Sequence, residues 1–102
     1  MHPAIAQQRS DIAQICKEHH VKKLEVVGSA ARGTDFDPQR SDGDFVVEFE
    51  PQARSGFESY FAVKRALEVL LRRHVDLIEA GALRNPYVIA SINAAREVVY
   101  AA

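Results

Sequence analysis

Asp42-Gly43-Asp44-Phe45-Val46-Val47-Glu48-Phe49-Glu50 is the stretch on which the fold turns. From Asp44 onward Phe45, Val47 and Phe49 alternate with their neighbours, which predicts a strand that buries one face. The same two-residue repeat points Asp42 and Asp44 to one side, opposite the Phe45, Val47, Phe49 row. Core face and carboxylate face are thereby separated within a single segment.

Working back, residues 33–41 hold Gly33, Thr34, Asp35, Asp37 and Pro38 with little periodicity and read as an exposed loop. Leu24-Glu25-Val26-Val27 is short, partly β-branched and stops at Gly28, so it reads as a strand ending in a tight turn. From Pro3 to about His20, Ile5, Ile12, Ile15 and Cys16 recur near a 3.6-residue period and predict an amphipathic helix. Working forward, Pro51 to Gly56 is a turn-rich break, and Tyr60, Val63, Leu67, Leu70 and Leu71 form the apolar side of a second helix closed by Arg72, Arg73 and His74. Val75 to Glu79 reads as a third strand. Asn85-Pro86 is an N-cap and first-turn pair for a last helix carrying Ile89 and Ile92, and Glu97 to Tyr100 reads as a final strand.

The order α-β-loop-β-α-β-α-β predicts an α/β (α+β) fold, a small mixed sheet with helices packed on one face and the other face left for a site. The 102 residues suit a single domain over 1–102. Thirteen Lys and Arg against fourteen Asp and Glu give a net charge of −1, so no broad basic surface for direct nucleic-acid binding or for anionic lipid is expected. Cys16 alone excludes an intramolecular disulfide and a thiolate zinc site, which fits a cytoplasmic location. No apolar run approaches the length of a membrane span.

Three groups of residues carry candidate chemistry. Gly28-Ser29 stands where a strand gives way to a short turn of helix, Ser29 to Arg32, ended by Gly33. Unpaired N–H groups, a hydroxyl and the missing Cβ suit a phosphate there, although Gly-Ser at a strand end is also an ordinary turn. Asp42 and Asp44 form a chelating pair whose mutual repulsion calls for a cation, and hard oxygen ligands beside substrate phosphates suit Mg²⁺. Asp35 and Asp37 share the spacing but lead into no alternating strand, so they are set aside. Asp76 is a carboxylate in an otherwise apolar strand. If that strand neighbours the second, Asp76 completes a three-carboxylate site and can help deprotonate an attacking hydroxyl; otherwise it is a strand-edge acid in water. Arg32 can reach a phosphate or anchor the loop through a carboxylate. His74 shares a face with Asp76 yet also suits a dipole partner at a helix C-terminus, while His19 and His20 lack metal-binding spacing.

Taken in order, Gly28-Ser29-Ala30-Ala31-Arg32-Gly33, Ser41-Asp42-Gly43-Asp44-Phe45-Val46-Val47 and Val75-Asp76-Leu77-Ile78 resemble the signatures of the DNA polymerase beta-like nucleotidyltransferase superfamily. Length and the tail from Asn85-Pro86-Tyr87 to Tyr100 resemble its minimal nucleotidyltransferase (MNT) branch. The resemblance implies that Gly28 and Ser29, with Arg32, hold the triphosphate of ATP. It implies that Asp42, Asp44 and Asp76 hold Mg²⁺, with Asp76 also the base. It further implies an antitoxin that attaches AMP to a tyrosine of a partner HEPN-domain ribonuclease toxin. The alternative is a catalytically silent antitoxin of the same fold that masks its toxin by contact. Gly43 departs from the family, which usually has an aliphatic residue there.

Overall fold

Gly43 to Phe49 is a strand, as its alternation requires, and it lies inside a four-stranded mixed sheet. The computed structural model describes residues 1–32, 42–51 and 56–102. Within them the chain runs α1 (Pro3–Ala6), α2 (Arg9–Glu18), β1 (Val21–Val27), α3 (Gly28–Arg32), β2 (Gly43–Phe49), α4 (Gly56–Leu71), β3 (Val75–Glu79), a 3₁₀ turn (Ala80–Ala82), α5 (Pro86–Ala94) and β4 (Arg96–Ala101). The sheet order is β3-β2-β1-β4. β1 pairs antiparallel with both β2 and β4, and β2 pairs parallel with β3 across the α4 crossover. Gly33, Asp35, Asp37, Ser41 and the loop readings that involve them lie outside the described residues, as do residues 52–55.

The core forms where the expected apolar rows meet. Leu24 and Val26 of β1, Phe45 and Val47 of β2, and Val75 and Leu77 of β3 pack against Ile5, Ile12 and Cys16 from the N-terminal helices and Val63, Leu67 and Leu71 of α4. Burial of these side chains is the main driving force for the fold, at about 1.5–3 kcal/mol for each of the larger ones. Burial also pushes the Cys16 thiol up to about 12, which leaves it an inert core residue. Beyond this helical layer, α5 contributes a strip on the opposite face, where Ile92 meets Val27 and Val46. The rest of that face carries the ion pair of Glu25 with Arg96, whose Nε donates to Glu25 Oε2 at 2.8 Å. That guanidinium holds the Glu25 carboxyl below the usual carboxylate range.

Two local departures from the expected elements stand out, and Gly43 has its own packing reason. The single helix expected over Pro3 to His20 is two. His2 N–H donates to Ala30 O at 2.8 Å and ties the first turn to α3, and the chain restarts as a helix at Arg9. β1 begins three residues earlier than Leu24, because His20 takes a left-handed φ of 56° and delivers Val21 directly opposite Phe49. At Gly43, a Cβ would lie 3.1 Å from Cε2 of Phe45. The Phe45 ring already fills the space that a side chain at position 43 would occupy, so the glycine costs no packing.

Candidate active site

Asp44 and Asp76 sit directly opposite one another in the parallel β2–β3 ladder. The condition attached to Asp76 in the sequence, that its strand neighbour the second one, is therefore met. Alternation does the aiming: Val75 and Leu77 are buried while Asp76 between them is exposed, and Phe45 and Val47 point to the core while Asp44 turns from it. Asp42 precedes β2 and is exposed. Ligand atoms of Asp42, His74 and Asp76 all lie within 4.8 Å of one another.

Asp44 is the strained member. Its carboxyl is pushed up to about 6, first by burial, then by its hydrogen bond with Asp76 and by the charges of Asp76 and Asp42, against a smaller opposing pull from Arg32. Two carboxylates in one partly desolvated spot cannot both ionise without cost, so Asp44 gives up its proton only near pH 6, and a cation beside the pair would favour the ionised form. Three convergent carboxylates with hard oxygen donors fit a divalent cation such as Mg²⁺.

Gly28 stands at the end of β1, where α3 begins, and it is required there for two reasons. Its φ is +65°, in the left-handed region, and a Cβ would lie 2.8 Å from Asp44 Oδ2. The backbone of Gly28-Ser29 thus passes close beside the carboxylates, held there by β1–β2 pairing that extends to Val27 opposite Asp44. Arg32 ends α3 near enough to act on the Asp44 charge. Next to Asp44, a hollow of about 210 Å³ is lined by Val27, Gly28, Ile78, Val88, Ser91 and Ile92. Its apolar walls suit a flat ring whose polar end faces the acids.

The sequence left His74 between sharing the Asp76 face and partnering the C-terminus of α4, and it did not single out Glu68. At that C-terminus Arg73 Nε donates to Leu71 O at 3.3 Å. The His74 ring instead lies between Asp76 Oδ1, 3.2 Å from Nε2, and Glu68 Oε2, 3.2 Å from Nδ1. Glu68 also accepts the Val75 N–H at 3.1 Å. A glutamate in the last turn of a helix, six residues before a histidine at a strand start, was the available signal.

The profile of the nucleotidyltransferase domain matches residues 9–99. The chain belongs to the nucleotidyltransferase domain family. Two proteins of Methanocaldococcus jannaschii that carry the provisional name protein adenylyltransferase are similar to this nucleotidyltransferase. One is 35% identical over 91 residues, covering 81% of this chain and 89% of the relative. The other is 36% identical over 80 residues, covering 78% of each. A solved structure provisionally named a minimal nucleotidyltransferase superposes with a TM-score of 0.74 at 26% identity over 95% of both chains. A tri-AMPylated Shewanella oneidensis HEPN toxin in complex with its MNT antitoxin contains a chain that superposes with a TM-score of 0.66 at 11% identity, over 96% of this chain and 73% of that one. The fold is thus the minimal nucleotidyltransferase fold, with its mixed sheet and flanking helices.

Proposed function

We propose that this nucleotidyltransferase moves AMP from ATP to a tyrosine hydroxyl of a partner HEPN ribonuclease toxin and so neutralises it. The observation that carries the reading is the half-buried Asp44 set against Asp76 beside the Gly28 backbone. Such an arrangement destabilises the bare fold and is hard to account for in a protein that acts by contact alone. Supporting it are the names of the M. jannaschii relatives and the toxin–antitoxin complexes that share the fold. One of these complexes was solved with AMP-PNP.

In this reading Gly28 and Ser29, assisted by Arg32, hold the triphosphate, with backbone N–H groups as the donors. Asp42, Asp44 and Asp76 would hold Mg²⁺, which when bound neutralises phosphate charge and favours ionisation of an attacking hydroxyl. Asp76, the exposed member of the Asp44–Asp76 pair, receives the proton of the tyrosine hydroxyl as its oxygen attacks the α-phosphorus. The bond from that phosphorus to the bridging oxygen breaks, and pyrophosphate leaves. The hollow between β1, β2 and α5 gives an apolar seat to one of the two flat rings that the reaction brings together, adenine or phenol. The acceptor arrives on a protein, and residues 1–102 act as a single domain that need not enclose it.

Growth of cells expressing the partner toxin separates catalysis from masking. The Asp42→Asn, Asp44→Asn double variant should bind the partner yet fail to restore growth. Restoration equal to that of the unaltered chain would replace transfer with simple masking.

A further inference from the structure

We infer that His74 is a nitrogen ligand to a divalent cation at the Asp42–Asp76 side of the site, oriented by Glu68, and that it biases this position toward first-row transition ions over Mg²⁺. The inference rests on the proposed assignment of Asp42 and Asp76 as cation ligands and adds a donor of a different chemical kind. His74 Nε2 is 3.2 Å from Asp76 Oδ1. Adjacent donors around one octahedral cation at roughly 2.1 Å stand about 3.0 Å apart, so the two atoms already have the spacing of neighbouring ligands. Asp42 completes the group within 4.8 Å.

The far side of the ring is built as a ligand's far side usually is. Nδ1 faces the Glu68 carboxylate at 3.2 Å, which fixes the ring's orientation and, in the tautomer that donates from Nδ1, presents the Nε2 lone pair to a cation. The main chain is held as well. His74 O accepts the Gly43 N–H at 3.0 Å, in the ladder that carries Asp44, and Glu68 Oε2 accepts the next N–H, that of Val75. Glu68 itself comes from α4, which packs against the core through Leu67 and Leu71. The histidine thus joins the site with a supported backbone and an oriented ring. Imidazole nitrogen suits first-row ions such as Fe²⁺, Ni²⁺ and Zn²⁺ better than Mg²⁺, which prefers oxygen and water, and Mn²⁺, which accepts the same carboxylates, serves as the paramagnetic probe.

The test uses the untagged full chain and Mn²⁺ alone, followed by electron paramagnetic resonance to millimolar concentration. Bound Mn²⁺ should show nitrogen modulation of its spin echo. In His74→Gln the modulation should vanish while weaker Mn²⁺ binding persists. Glu68→Ala should keep the modulation with affinity reduced about 10-fold. Bound Mn²⁺ without nitrogen modulation in the unaltered chain, or modulation surviving in His74→Gln, would overturn the role of His74 and leave the carboxylate site standing. No bound Mn²⁺ at all, or binding unchanged in Asp42→Asn, would overturn the carboxylate assignment and the inference with it.

Discussion

At the scale of the residue, Asp44 exchanges stability for a poised carboxylate. Its carboxyl binds a proton more readily in the folded chain, at about 6, than at the ordinary value of 3.8. The folded state is therefore favoured below about pH 4, loses that contribution as pH rises through 6 and stays penalised by a constant amount above it. Asp44→Asn removes the penalty and, once solvent screening of a half-exposed group is allowed for, should stabilise the cation-free protein at pH 8 by about 1–2 kcal/mol, a rise of several degrees in Tm, with the gain closing by pH 4. Added Mg²⁺ should narrow the gap at pH 8 by stabilising the unaltered chain alone. Thermal melts at the two pH values read this out, and an Asp44→Asn protein less stable than its parent at pH 8 would contradict it. Gly28 belongs to the same arrangement, since its positive φ and missing Cβ are what let Asp44 lie against the backbone.

At the scale of the element, the sequence was most legible where one periodicity served one face. β2 follows from alternation and β3 from its short apolar run, while the pairing that sets Asp44 opposite Asp76 comes only with the sheet order. The Asn85-Pro86 signal was equally direct. Asn85 Oδ1 accepts the Tyr87 N–H at 2.9 Å and the Val88 N–H at 3.4 Å, so α5 starts where its cap dictates. Asn85→Ala should cost about 1 kcal/mol, measured by denaturant midpoint, because α5 has few other means of fixing its start. No change would mean that Ile92 packing alone holds the helix. What was not legible depends on contacts distant in sequence. The first turn is tied to Ala30 through the His2 N–H, and the His74 ring is held by Glu68 on another element. Composition and spacing contain neither contact.

At the scale of the whole molecule, one face of the sheet builds the core, and the carboxylates gather at one end of the other, between α3, the β2–β3 pair and α5. Among the described residues no helix is long and apolar enough to cross a membrane. The central claim is that this end of the sheet transfers AMP to a protein, and it is tested most directly by the intact mass of the partner toxin after co-expression. With the unaltered chain the partner's mass should rise by one or more AMP units, located on tyrosine by fragmentation, and with Asp44→Asn it should not rise. An unmodified partner in both cases, with toxicity still suppressed, would contradict the account and leave binding as the mode of neutralisation.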